Sequence, residues 1–126
     1  LESNLATMAQ RLPGNRLRPH VKAHKTTAIA RLQYEAGHMG FTCATAREVL
    51  GLANAGLGHD LLLANETVDA DRLTSMARSE ARVTVAVDSE ATIDAAAAAG
   101  KWMPVVVCIR QNETGPYQRD EATIRW

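Results

Sequence analysis

No net charge remains on this chain of 126 residues, because fourteen lysines and arginines balance fourteen aspartates and glutamates. A neutral surface exerts no general pull on nucleic acid or on an anionic membrane; only a local basic cluster could argue for either partner. Cysteine is nearly absent. Cys43 and Cys108 stand far apart and no Cys-x-x-Cys pair occurs, which excludes zinc fingers and dithiol redox motifs. Two isolated cysteines in apolar, strand-like runs point to buried thiols in a reducing cytosol, so a cytoplasmic location is expected. No apolar run approaches the roughly 18 residues of a membrane span, and no signal-peptide pattern is visible.

What is present is apolar residues (46%) and a regular alternation. A core of one ordinary domain is within reach. Four times a polar segment of helical period leads into a short apolar run. "TTAIARLQYEAG" (26–37) precedes "MGFTCA" (39–44), and "TAREVLGLANAG" (45–56) precedes "DLLLA" (60–64). "DADRLTSMARSE" (69–80) precedes "RVTVAV" (82–87), and "DSEATIDAAAAAG" (88–100) precedes "MPVVVCI" (103–109). Gly37, Gly56 and Gly100 suit helix C-caps. Thr45, Asp69 and either Asp88 or Ser89 suit N-caps. The apolar runs are continuous, as in a parallel sheet covered on both faces. "LRPHVKA" (17–23) adds a first strand, and "LESNLATMAQ" opens inside an amphipathic helix with Leu1, Leu5 and Met8 on one face, as if the N-terminus were cut.

The order is strictly β then α, giving an α/β chain of about five parallel strands. A doubly wound sheet and part of a (β/α)8 barrel both fit. The first strand runs into "AHKTT" without the glycine-rich phosphate loop of the doubly wound fold, which favours about half of a barrel of roughly 250 residues. Function then belongs at the strands' carboxyl ends: Lys22 to Thr26, Thr42 to Thr45, Asn65 and Glu66, Asp88, and Arg110 onward.

The densest of these places is "LRPHVKAHKTTAIA" (17–30), where His20, Lys22, His24 and Lys25 crowd together. As a nucleic-acid patch it has one nearby aromatic, Tyr34, and no net charge behind it. As a metal site it fails on reach, since two histidines four apart in an extended chain lie about 13 Å apart at ~3.3 Å per residue. A solvated basic loop suits Lys25 and the arginines. Lys22, at the end of an interior strand, suits it less, because a buried lysine is costly unless paired and a desolvated amine is suited to forming a Schiff base. Spacing alone leaves loop and reactive amine both open.

"LRPHVKAHKT" resembles the lysine motif of the D-threonine aldolase and D-serine dehydratase family, pyridoxal-phosphate enzymes of the alanine-racemase-like barrel type. "EAGHMGFTCATAREVLGLANAGLGHDLLLANETVD" is similar to that family's second and third barrel units, "VTVAVDSEATIDAAAAAG" to the fourth, and "LESNLATMAQRL" to the helix before the first strand. The resemblance covers residues 1–107. It implies a partial barrel of the alanine racemase N-terminal type, with Lys22 as the covalent anchor of pyridoxal 5'-phosphate and His24 and Thr42 near the cofactor. It implies retro-aldol cleavage of D-3-hydroxy amino acids to glycine and an aldehyde. D-serine dehydratase chemistry and a non-catalytic cofactor carrier are the alternatives. A plain α/β domain that binds a phosphorylated metabolite through Lys25 stands outside the family altogether.

The pattern departs from the family near Cys108. "CIRQNETGPYQRDEATIRW" (108–126) lacks the family's Gly-Met-x-Arg-x-Gly loop, and neither Arg110 nor Arg119 has its surroundings. A frameshift, a gene fragment or a divergent end would each produce this. The family's divalent metal has its ligands in a C-terminal β-domain that is absent here, so no metal residue is assigned. A small D-amino acid is the expected partner, with a homodimer at full length and neither nucleic acid nor membrane. Open sheet edges lead to the expectation that the 126 residues are weakly folded or self-associating, and inactive alone.

Overall fold

The computed structural model describes residues 1–99 and 104–107. Five helices are formed: α1 (Glu2–Arg11), α2 (Thr27–Glu35), α3 (Ala46–Asn54), α4 (Ala70–Ala77) and α5 (Glu90–Ala98). Between them lie four strands: β1 (Phe41–Cys43), β2 (Leu61–Leu63), β3 (Val83–Val87) and β4 (Val105–Val107). The divergent stretch 108–126, with Cys108, Arg110 and Arg119, and Gly100 of the expected last helix cap lie outside the described residues.

The strands pair in parallel in the order β1-β2-β3-β4. In register, Thr42 lies beside Leu62 and Leu62 beside Thr84. A doubly wound sheet reverses its direction of growth after the first crossovers. This one never does. Right-handed crossovers that always advance the same way place every helix on one face, which is the arc of a barrel.

The two faces differ accordingly. Phe41, Cys43, Leu61, Leu63, Val83, Val85 and Val87 are buried and pack in one cluster with Val49 and Leu52 of α3 and Leu73 and Met76 of α4. Thr42, Leu62 and Thr84 alternate with them and are half-buried, on the face that a closed barrel would turn inward. The expectation of strands covered on both faces therefore holds for one face only. Helix α1 buries no residue, and its Leu1 and Met8 are exposed.

The expected helix ends are largely in place. Thr45 accepts from Glu48 N–H at 3.2 Å, and Asp69 from Arg72 N–H at 3.0 Å. Ser89, not Asp88, caps α5, in a reciprocal box with Thr92. Gly37 and Gly56 take positive φ after α2 and α3.

Gly58 is required for a different reason. A Cβ there would lie 2.7 Å from the Ala81 Cβ and 3.0 Å from its Cα, while the Gly58 carbonyl accepts from Arg82 N–H at 2.9 Å. Neither neighbour is a flexible side-chain end. Gly58→Ala is expected to destabilise by about 1–3 kcal/mol, read as a lower urea midpoint; an unchanged midpoint would show that the β2 and β3 approaches can part freely.

The first strand departs from expectation. Residues 17–23 contribute one parallel bridge, His20 to Thr42, supported by Thr42 N–H donating to the Pro19 carbonyl at 2.8 Å. The chain then tightens into a 3-10 turn, Val21–Ala23, instead of continuing the ladder. Val21 is buried and anchors the turn, while Lys22 is exposed. Lys22 therefore leaves the sheet for solvent, and the argument from the cost of burying its amine does not apply.

Candidate functional site

The turn that carries Lys22 sits where the first barrel unit crosses from sheet to helix. Its ends are closed by backbone bonds: His24 N–H donates to the Val21 carbonyl at 3.1 Å and Lys25 N–H to the same oxygen at 2.8 Å. His20 Nδ1 accepts from Lys22 N–H at 3.3 Å. His24 Nδ1 accepts from Thr26 N–H at 3.2 Å, and Thr26 in turn caps α2. Lys25 takes φ 51, a left-handed conformation that favours glycine, and this reverses the chain into α2. Upstream, Arg18 is held by an ion pair to Asp60, whose carbonyl also accepts from Phe41 N–H at 2.9 Å. The basic run thus divides: Arg18 is a structural tie, and Lys22 stands exposed with no ion pair among the described residues.

Three groups border this turn. Thr42 is half-buried opposite His20. Glu48 accepts from Ala44 N–H at 2.7 Å and completes the α3 cap. Its carboxylate acts on His20 and Cys43. Burial and the Lys22 ammonium hold the His20 imidazole below its usual 6.5, and Glu48 pulls the other way. Burial, with a contribution from Glu48, pushes the Cys43 thiol up to about 12.

Cys43 is thus a core residue and no nucleophile. A folded value above the free thiol's 9.0 means that its contribution to stability is complete below pH 9 and is lost as pH climbs through about 12. At pH 8, native Cys43 is expected to resist iodoacetamide and to react once the chain is unfolded, as read by mass spectrometry of its peptide. Rapid labelling of the native chain would contradict this.

The remaining candidates scatter. Asn65 is exposed and caps no helix. Asp88 N–H donates to Thr92 Oγ1, and Glu66 is half-buried. Among the described residues no group of three or more His, Cys, Asp or Glu side chains could hold a metal ion. A groove of about 1030 Å³ runs between α2, α3 and α4 and is lined by Lys25, Thr26, Arg47 and Arg72. It lies on the helical side, and neither Lys22 nor Thr42 lines it. The residue that sequence reasoning undervalued is His20, weighed as a metal ligand and found as a turn cap. The signal was the repeated spacing, each histidine two positions before an amide that it accepts from.

A parallel arc that grows in one direction, with an exposed lysine where its first unit turns from sheet to helix, defines a partial (β/α)8 barrel domain. The chain belongs to the family of the alanine racemase N-terminal domain, whose model matches residues 1–112. It is 35% identical over 108 residues to a 3-hydroxy-D-aspartate aldolase of Paracoccus denitrificans, covering 80% of this chain and 28% of that protein. It is 34% identical over 105 residues to a D-threo-3-hydroxyaspartate dehydratase of a Delftia species, covering 80% of this chain and 27% of that one. The crystal structure of D-threonine aldolase from Filomicrobium marinum superposes with a TM-score of 0.76 at 36% identity, over 84% of this chain and 31% of that one. The chain thus spans under a third of the length of these relatives.

Proposed function

We propose that this chain is the cofactor-anchoring arc of a pyridoxal-phosphate-dependent lyase that cleaves D-3-hydroxy amino acids between Cα and Cβ to glycine and an aldehyde. The observation that carries the reading is Lys22, an exposed primary amine on a turn pinned at both ends, next to the carboxyl-terminal side of the sheet, in a chain similar over four-fifths of its length to a D-3-hydroxy acid aldolase.

The residues present fit the cofactor on two counts. Lys22 Nζ is open to solvent and can join an aldehyde carbon with release of one water. His24 Nδ1 is occupied as an acceptor, so its Nε2 is a donor, and that buried atom has no partner among the described residues. An unsatisfied buried donor costs about 1–3 kcal/mol, which a bound acceptor would recover. Thr42, half-buried beside the turn, gives the site a wall from β1. When bound, pyridoxal phosphate supplies an electron sink for the pair released as the Cα–Cβ bond breaks.

Dehydration of the same amino acids is the second reading, favoured by the similarity to the Delftia dehydratase. A divalent metal belongs to the proposal for the full-length enzyme, and turnover by the 126 residues alone is expected to be absent. Binding tests the substrate class without turnover. The visible circular dichroism of the cofactor-loaded chain should change with D-threonine and not with L-threonine. Equal response to both enantiomers would contradict the D-amino acid reading, and indifference to both would favour a cofactor carrier.

A further inference from the structure

Two histidines frame Lys22 and repeat one device. Each ring turns its Nδ1 onto the amide two residues ahead, His20 onto Lys22 N–H and His24 onto Thr26 N–H, at 3.3 and 3.2 Å. An Nδ1 that accepts carries no proton, so both neutral rings hold their hydrogen on Nε2. One acceptor stands at the head of the 3-10 turn and the other at its end. Side chains that bond the local backbone offer it an alternative to a strand ladder. This is where the ladder stops, after the single bridge from His20 to Thr42.

We propose that His20 and His24 are positioning residues, whose Nδ1 acceptors clamp the turn at both ends and hold the Lys22 amine clear of the sheet, presented to an incoming carbonyl. The proposal rests on the reading of Lys22 as the cofactor anchor. It assigns neither ring to acid-base chemistry or to a metal. It also explains why two histidines accompany one lysine at this spacing: each half of the turn lacks a backbone partner for one amide, Lys22 N–H before it and Thr26 N–H after it.

The clamp at His20 is sensitive to acid. The charges that act on that ring are the Lys22 ammonium from the same turn and the Glu48 carboxylate from α3. Protonation puts a hydrogen on Nδ1 and removes the acceptor. Because the folded ring titrates below 6.5, the folded turn binds fewer protons than the unfolded chain between the two values. The cap is therefore complete above pH 6.5 and is lost as pH falls from there through the lowered folded value.

The test uses the full chain with His20→Asn and His20→Gln. Asparagine places a carbonyl oxygen near the Nδ1 position, while glutamine places one near Nε2. Protection of the Lys22 amide against hydrogen exchange is measured by NMR without cofactor, and the rate of borohydride-trappable capture of pyridoxal phosphate is measured from pH 5 to 8. His20→Asn should keep both within about twofold of wild type at pH 8 and lose the acid-dependent fall in protection. His20→Gln should lower both by about fivefold, the worth of one net hydrogen bond. The same pair at His24 should act on the Thr26 amide. Equal behaviour of the two His20 variants, or an acid-dependent fall that persists in His20→Asn, would overturn the proposal. If wild type captures no cofactor, the reading of Lys22 fails, and the exchange data still decide whether the histidines clamp the turn.

Discussion

Lys22→Ala is expected to reduce covalent capture of pyridoxal phosphate to background while leaving the far-ultraviolet circular dichroism and the urea midpoint unchanged. Both halves follow from position. The chain has three lysines, Lys22, Lys25 and Lys101. Lys22 stands on the capped turn beside Thr42 and is exposed, so its side chain takes no part in the buried cluster. Surface substitutions of this kind stay within about 0.5 kcal/mol. The matched control is Lys25→Gly, since Lys25 already occupies a left-handed φ of 51 that glycine adopts without strain. Capture should survive in that variant. Loss of phosphate-ligand binding in Lys25→Gly with full binding in Lys22→Ala would instead support a phosphorylated-metabolite site on the groove that Lys25 lines.

Phe41→Ala should have the largest effect on stability. Phe41 is fully buried at the start of β1 and belongs to the cluster between the sheet and α2 to α4. Truncating a buried phenylalanine costs about 3–5 kcal/mol, against about 5–15 kcal/mol for a whole domain. With one sheet face only half-buried and α1 burying nothing, this arc stands at the lower end of that range. Most of the cooperative urea transition should disappear. Thr42→Val, one residue on and facing the other way, should shift the midpoint by less than about 1.5 kcal/mol. A Phe41→Ala chain as stable as wild type would show that the cluster does not hold the arc together.

Much of this architecture was legible in the sequence because it is written locally. Thr45, Asp69 and Ser89 accept from amides two or three residues ahead, and Gly37 and Gly56 reverse the chain after their helices. Such signals need no knowledge of the rest of the fold. The facing of the strands was not legible. In "LLL" (61–63) nothing in residue type separates half-buried Leu62 from its buried neighbours, and only the pairing with Thr42 and Thr84 does. The first strand was misjudged for a different reason. "LRPHVKA" has strand-like alternation, yet Pro19 offers no N–H and His20 satisfies the Lys22 amide with its own ring, so the ladder ends early. The site was legible as a lysine motif and not as geometry: Lys22 was placed by the cost of burial and is in fact exposed, and the part played by His20 depends on a ring orientation that residue type does not carry.

The central claim is that Lys22 is the covalent anchor, and the most direct measurement is its chemical mapping. The wild-type chain is incubated with pyridoxal phosphate, reduced with borohydride and digested, and the peptides are sequenced by mass spectrometry. One reduced cofactor on Lys22, with Lys25 and Lys101 unmodified at equal reagent, is the predicted result. Label spread evenly over the three lysines, or concentrated on Lys25, would contradict it.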